Sequence, residues 1–176
     1  MPPLYLVKFN QLNIEAAAHW GIFLPHDGSA YDQYGVPHWG TLYHASKPCN
    51  GDEGSCYSLA ANTQFHATQR PLSGSPGLIS LLPLRSTEIR PESVERACHL
   101  VTENRRFNLV TGNCQEWVKE VIHLLINEHR IPVGVLEQMR YYGYTTLAER
   151  SVESSSSCFP PISCLPWSWP WHYRTV

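Results

Sequence analysis

The order of two periodicities constrains this chain most. Runs with strand-like alternation come first, and runs with helical spacing follow only after residue 90. Residues 4–9 alternate as a strand does. Residues 19–25 form a second run, stopped by Pro25 and the turn-forming His26-Asp27-Gly28. A third run spans 38–46 and ends at Lys47-Pro48. Residues 78–84 are an apolar strand candidate, and 57–66 a weaker one. Residues 29–37 read as a loop or ragged hairpin, 49–58 as loop chemistry, and 70–77 as an irregular Pro/Gly/Ser break. Residues 11–18 fit neither pattern. Pro91 then opens a helix, since proline suits a first helical position. Val94, Ala97, Cys98 and Val101 make its apolar stripe. A second helix starts at about Cys114, with Trp117, Val118, Val121, Ile122 and Leu125 at helical spacing. Pro132 is expected to end it, and 135–142 fit a short third helix.

Length and charge narrow the function classes. The chain has 176 residues, enough for one domain with a real core. Its 13 Lys+Arg against 15 Asp+Glu leave it near neutral, so nucleic acid is not an expected partner. No basic segment followed by an apolar run opens the chain, and no apolar run approaches the ~20 residues of a spanning helix. A soluble, cytoplasmic protein without stable membrane insertion is expected. The 6 cysteines lack paired CxxC spacing, so neither a disulfide framework nor a structural zinc site is expected. Cys49 and Cys56 flank a Gly/Asp-rich loop and read as free loop thiols, with a bridge between them as the alternative in an oxidising setting. After about Ala148 the composition turns to Ser, Pro and Trp without period, which predicts a flexible tail over 149–176.

One segment carries chemistry: Thr111-Gly112-Asn113-Cys114-Gln115-Glu116-Trp117. A thiol attacks a carbonyl as its thiolate, and a free thiol with a pKa of ~8.5 supplies little thiolate at neutral pH. Sulfur on the first turn of a helix faces unpaired N–H groups and the positive dipole end. Asn113 is a good N-cap type, and Gly112 permits a sharp turn. The same N–H groups are candidates for an oxyanion site. On position alone, Cys114 reads equally well as a small buried residue. A nucleophile needs a base. His19 opens a strand whose alternation puts His19, Gly21 and Phe23 on one face. A third group commonly orients the base, and an imidazole can do so through a ring nitrogen. His44 suits this if 38–46 pairs antiparallel with 19–25. His38, within a second His-Trp-Gly tripeptide, is the rival for either role. Asp27, Asp32, Asp52 and Glu53 read as turn residues rather than an acid pair.

Three boxes, His19-Trp20-Gly21-Ile22-Phe23-Leu24, Leu42-Tyr43-His44-Ala45 and Asn113-Cys114-Gln115-Glu116-Trp117-Val118, resemble those of the circularly permuted NlpC/P60 (papain-like) superfamily. In order and spacing they are most similar to lecithin:retinol acyltransferase-like proteins, and the PPPDE peptidases share the early His and late Asn-Cys. The resemblance covers roughly 4–130. It implies an α+β fold, an antiparallel sheet of about four to six strands against two or three helices, in a catalytic domain over 1–148. It implies Cys114 as nucleophile, His19 as base and His44 as third member. The sequence departs from the pattern at Gln115-Glu116, where an acidic-His pair is usual. The 25–40 insertion is long, and the tail lacks an apolar anchor.

The expected activity is a cysteine-dependent hydrolase or acyltransferase working through a Cys114 thioester on a small-molecule, acyl or peptide substrate. No cofactor is expected. The alternative is a catalytically inactive papain-like binding module using the Trp/Tyr-rich loops at 31–43 and 57–66. A third reading, zinc held by His19, His44 and Cys114, is chemically competent, but the helix-start cysteine already has a sufficient role. GxSxG, GxxxxGK[ST] and HExxH are absent.

Overall fold

A computed structural model describes residues 3–10, 18–46, 64–84, 89–103, 105, 113–146 and 149–150. Five strands come first: β1 (Leu4–Phe9), β2 (His19–Pro25), β3 (Trp39–Ser46), β4 (Gln64–Pro71) and β5 (Leu78–Leu84). Three helices follow: α1 (Pro91–Thr102), α2 (Cys114–Asn127) and α3 (Val135–Tyr141). The strands form one sheet in the order β4-β3-β2-β1-β5, and every neighbouring pair is antiparallel. This is the α+β class expected from the sequence.

The sheet has two apolar faces, which explains why β1 and β2 are buried almost throughout. Leu4, Leu6, Trp20, Ile22, Leu24 and Tyr43 face the helices. Tyr5, Val7, Phe23, Leu42, Leu72 and Val36 make a second cluster on the opposite face. Successive side chains on a strand point to opposite faces. His19 and Gly21 therefore share the second face with Phe23, and His44 shares it with Leu42.

The weak strand expected at 57–66 is displaced. The strand runs Gln64–Pro71, paired with β3 from Trp39↔Pro71 to Ser46↔Gln64, and residues 57–63 lie outside the described residues. β4 is an edge strand with a mostly exposed, polar surface, so its apolar alternation is faint. Cross-strand pairing to β3 defines it instead. Pro71 ends it, and Pro83 sits in the other edge strand, where a missing N–H is tolerated.

α2 ends at Asn127, before the expected stop at Pro132. His129 adopts the left-handed region at φ 56°, and the Arg130 N–H closes back on the Leu125 carbonyl at 2.9 Å. This left-handed termination finishes the helix without the proline. Asp32 organises the 29–37 loop, accepting from the Tyr34 and Val36 N–H groups and the Ser73 hydroxyl. Of the segment 149–176, residues 151–176 lie outside the described residues. Glu149 pairs with Lys119 of α2 and accepts from the Thr146 N–H.

Candidate active site

Cys114 begins α2, as its sequence context predicts. Asn113 caps the helix, its Oδ1 accepting from the N–H groups of Gln115 at 2.9 Å and Glu116 at 3.1 Å. The helix start is tied to the start of β2. Gln115 is buried, and its Nε2 donates to the Ala18 carbonyl at 3.0 Å. The Cys114 sulfur faces the backbone N–H of Trp20, together with its own N–H and that of Gln115. The thiol thus lies against the residue that follows His19.

His19, His44 and a third histidine form a line across β2, β3 and β4. His19 Nε2 and His44 Nδ1 are 3.2 Å apart, with the rings edge to face at 5.1 Å. Continuing the β2–β3 register by one residue puts Gly21 opposite His44. The added Cβ of an alanine at Gly21 would come within 2.9 Å of Leu42 Cδ1 and 3.1 Å of the Tyr43 carbonyl oxygen. His19 and His44 meet diagonally across this pair. His66, directly opposite His44 in the β3–β4 register, stacks on its ring at 5.2 Å and 30°. Its Nε2 lies 2.8 Å from Ser46 Oγ. Sequence reasoning missed His66 and Ser46. The available signal was the possible pairing of 64–71 with 39–46, which a weak polar strand does not announce.

Electrostatics oppose the thiolate that a helix start favours. Burial pushes the Cys114 thiol up, and the three N–H groups pull it back only in part. Burial also holds His19 below its ordinary value. His44 is lowered to about 4, by burial first and then by His19, His66 and Arg70. The resting site therefore holds a neutral thiol beside neutral imidazoles. Among the described residues His19 makes no hydrogen bond to Cys114; its ring nitrogen contact is to His44. The helix-start donors are also partly committed, since Asn113 takes those of Gln115 and Glu116.

His38 is not part of this cluster. β2 and β3 are antiparallel with Pro25 opposite Gly40, so His38 lies at the far end of the sheet from His19. Its backbone N–H bonds the Ala30 carbonyl at 2.8 Å. The two His-Trp-Gly tripeptides thus have different fates, with Trp20 buried and Trp39 exposed. Tyr31 and Tyr34, also exposed, lie in the loop that leads to this far end. Among the described residues no group of three His, Cys, Asp or Glu side chains is disposed to hold a metal ion. No helix of the described residues is long and apolar enough to cross a membrane.

Residues 4–132 match the model of a family described as "Family of unknown function (DUF6540)", and the chain belongs to that family. No curated protein matches the chain, and no solved structure does.

Proposed function

We propose that the protein is a cysteine-dependent hydrolase or acyltransferase of the permuted papain-like kind, with Cys114 as nucleophile, His19 as base and His44 as its orienter. The observation that carries this reading is the seat of the Cys114 sulfur on the Trp20 N–H, one residue from His19, while His19 Nε2 is engaged by His44. When His19 Nε2–H donates to His44 Nδ1, the His19 Nδ1 lone pair is the one left to act as base.

The chemistry then runs from a neutral pair. As Cys114 Sγ attacks the acyl carbon, its proton passes to His19 Nδ1. The tetrahedral adduct collapses, the leaving group departs with the proton from His19, and a Cys114 thioester remains. Water, an amine or an alcohol attacks the thioester, His19 takes the incoming proton, and the thiol re-forms. Hydrogen bonds between nucleophile and base commonly tighten only in the substrate complex, so the open Cys114–His19 contact is compatible with this role. A thiol nucleophile and the buried free Cys98 suit a reducing compartment such as the cytoplasm.

A second reading, an inactive papain-like binding module, is favoured by two observations: no Cys114–His19 hydrogen bond among the described residues, and a His19 side chain on the sheet face opposite the helices. Intact-mass measurement with a panel of activated esters, thioesters and peptides separates the two. An acyl adduct on the native chain that is lost in Cys114→Ala is the expected result. No adduct with any member of the panel favours the binding module.

A further inference from the structure

We infer that His66, held by Ser46, is a positioning residue that fixes the ring plane of His44 and keeps His44 a neutral acceptor for His19. The inference deepens the cysteine-enzyme reading and takes its purpose from it. Three contacts carry it. Ser46 Oγ and His66 Nε2 are 2.8 Å apart, which pins the His66 ring from the neighbouring strand. The pinned ring stacks on His44 at a tilt, with centroids 5.2 Å apart and planes at 30°. The His44 Nδ1 then meets His19 Nε2 at 3.2 Å. All four side chains belong to the same sheet face, and His44 and His66 are direct cross-strand partners. A small edge-strand element thereby sets the geometry of a base two strands away.

Charge acts through the same contacts. The groups that bear on His44 are His19 from β2, and His66 and Arg70 from β4. All three oppose a proton on His44. A charge on His66 would stack against the His44 ring.

Imidazole nitrogen NMR of the full-length, labelled protein tests this without any need for turnover. His66→Phe keeps an aromatic ring over His44 and removes the charge. The His44 titration midpoint is expected to rise by about half a pH unit or more, as a unit charge at this distance requires even with solvent screening. Ser46→Ala frees the His66 ring, and the His19 Nε2 and His44 Nδ1 shifts are expected to move towards tautomer-averaged values. A purely structural role for His66 would leave the His44 midpoint unmoved. Spectra and midpoints identical to wild type in both variants overturn the inference, and an unchanged Ser46→Ala spectrum alone removes Ser46 from it. Each variant decides its own part if the other does not fold. Failure of the enzyme reading would look different: the histidine signals respond as expected, but wild-type Cys114 takes no acyl group.

Discussion

At the residue scale, Gln115 ties the start of the helix that opens with Cys114, the proposed nucleophile, to the start of β2. An amide at this buried position can reach the Ala18 carbonyl, and so ties the helix start to the strand that carries His19. Gln115→Leu keeps much of the volume and strands the Ala18 carbonyl in a part-buried setting. It is expected to cost about 1–3 kcal/mol in urea unfolding, and to slow acylation of Cys114 by loosening the helix start against β2. Unchanged values of both would show that the tie is dispensable. Cys114, His19 and His44 were legible because each sits in a local pattern: a capped helix start, or a strand bounded by turn residues. His66 was not, because its partners, Ser46 and His44, are close only through strand pairing. The resting charge of Cys114 was not legible either. The helix start argues for thiolate, but burial opposes it and is the larger effect.

At the element scale, β2 and β5 could be read to the residue: Pro25 closes the first apolar run, and Gly77 opens the second. β4 could not, because an edge strand with one solvated side carries little apolar signal. β3 shows how a strand accommodates its neighbour. Gly40 lies under Phe23, and a Cβ there would meet the Leu24 carbonyl oxygen at 2.4 Å and the Phe23 ring at 2.6 Å. The Phe23 ring can turn, but the Leu24 backbone cannot move without disturbing the β2–β3 ladder. Gly40→Ala is therefore expected to destabilise by about 1–3 kcal/mol, read as a fall in the urea midpoint at unchanged slope. No loss of stability would mean that β2 and β3 are not so closely apposed at this end. The glycine of the first His-Trp-Gly, Gly21, meets a flexible leucine methyl and a carbonyl at longer range. The repeated tripeptide thus marks two close approaches rather than two copies of a site.

For the whole molecule, the domain runs past the end of the family match at residue 132. Val135, Met139 and Tyr144 are buried in the helix-side core. The Tyr144 ring packs edge-on against Trp20 at 5.2 Å, with the Lys8 ammonium 3.9 Å from its centroid. The segment that follows α2 is therefore part of the frame behind the site. Burial of uncharged histidines gives this frame a pH dependence. The unfolded chain binds a proton at His44 near pH 6.5, whereas the folded chain does so only near 4. The unfolded state then holds more protons between these values, so stability is full above 6.5, falls as pH drops towards 4, and changes no further from this group below that. His19, also lowered, adds in the same direction. Urea unfolding from pH 7 to 4 is expected to show a shallower loss in His44→Gln than in wild type. Equal slopes would mean that His44 is not buried as a neutral ring.

The proposed pairing of Cys114 with His19 is most directly tested by the rate at which an activated ester acylates Cys114, followed by intact mass between pH 5 and 9. In wild type the rate should rise as His19 loses its proton and level off before neutrality, because burial holds that imidazole below its ordinary value of 6.5. His19→Ala should be slower by about 100-fold or more at pH 7. A His19→Ala protein that acylates as fast as wild type, or a wild-type rate that simply climbs through the range of an ordinary thiol, would contradict the account.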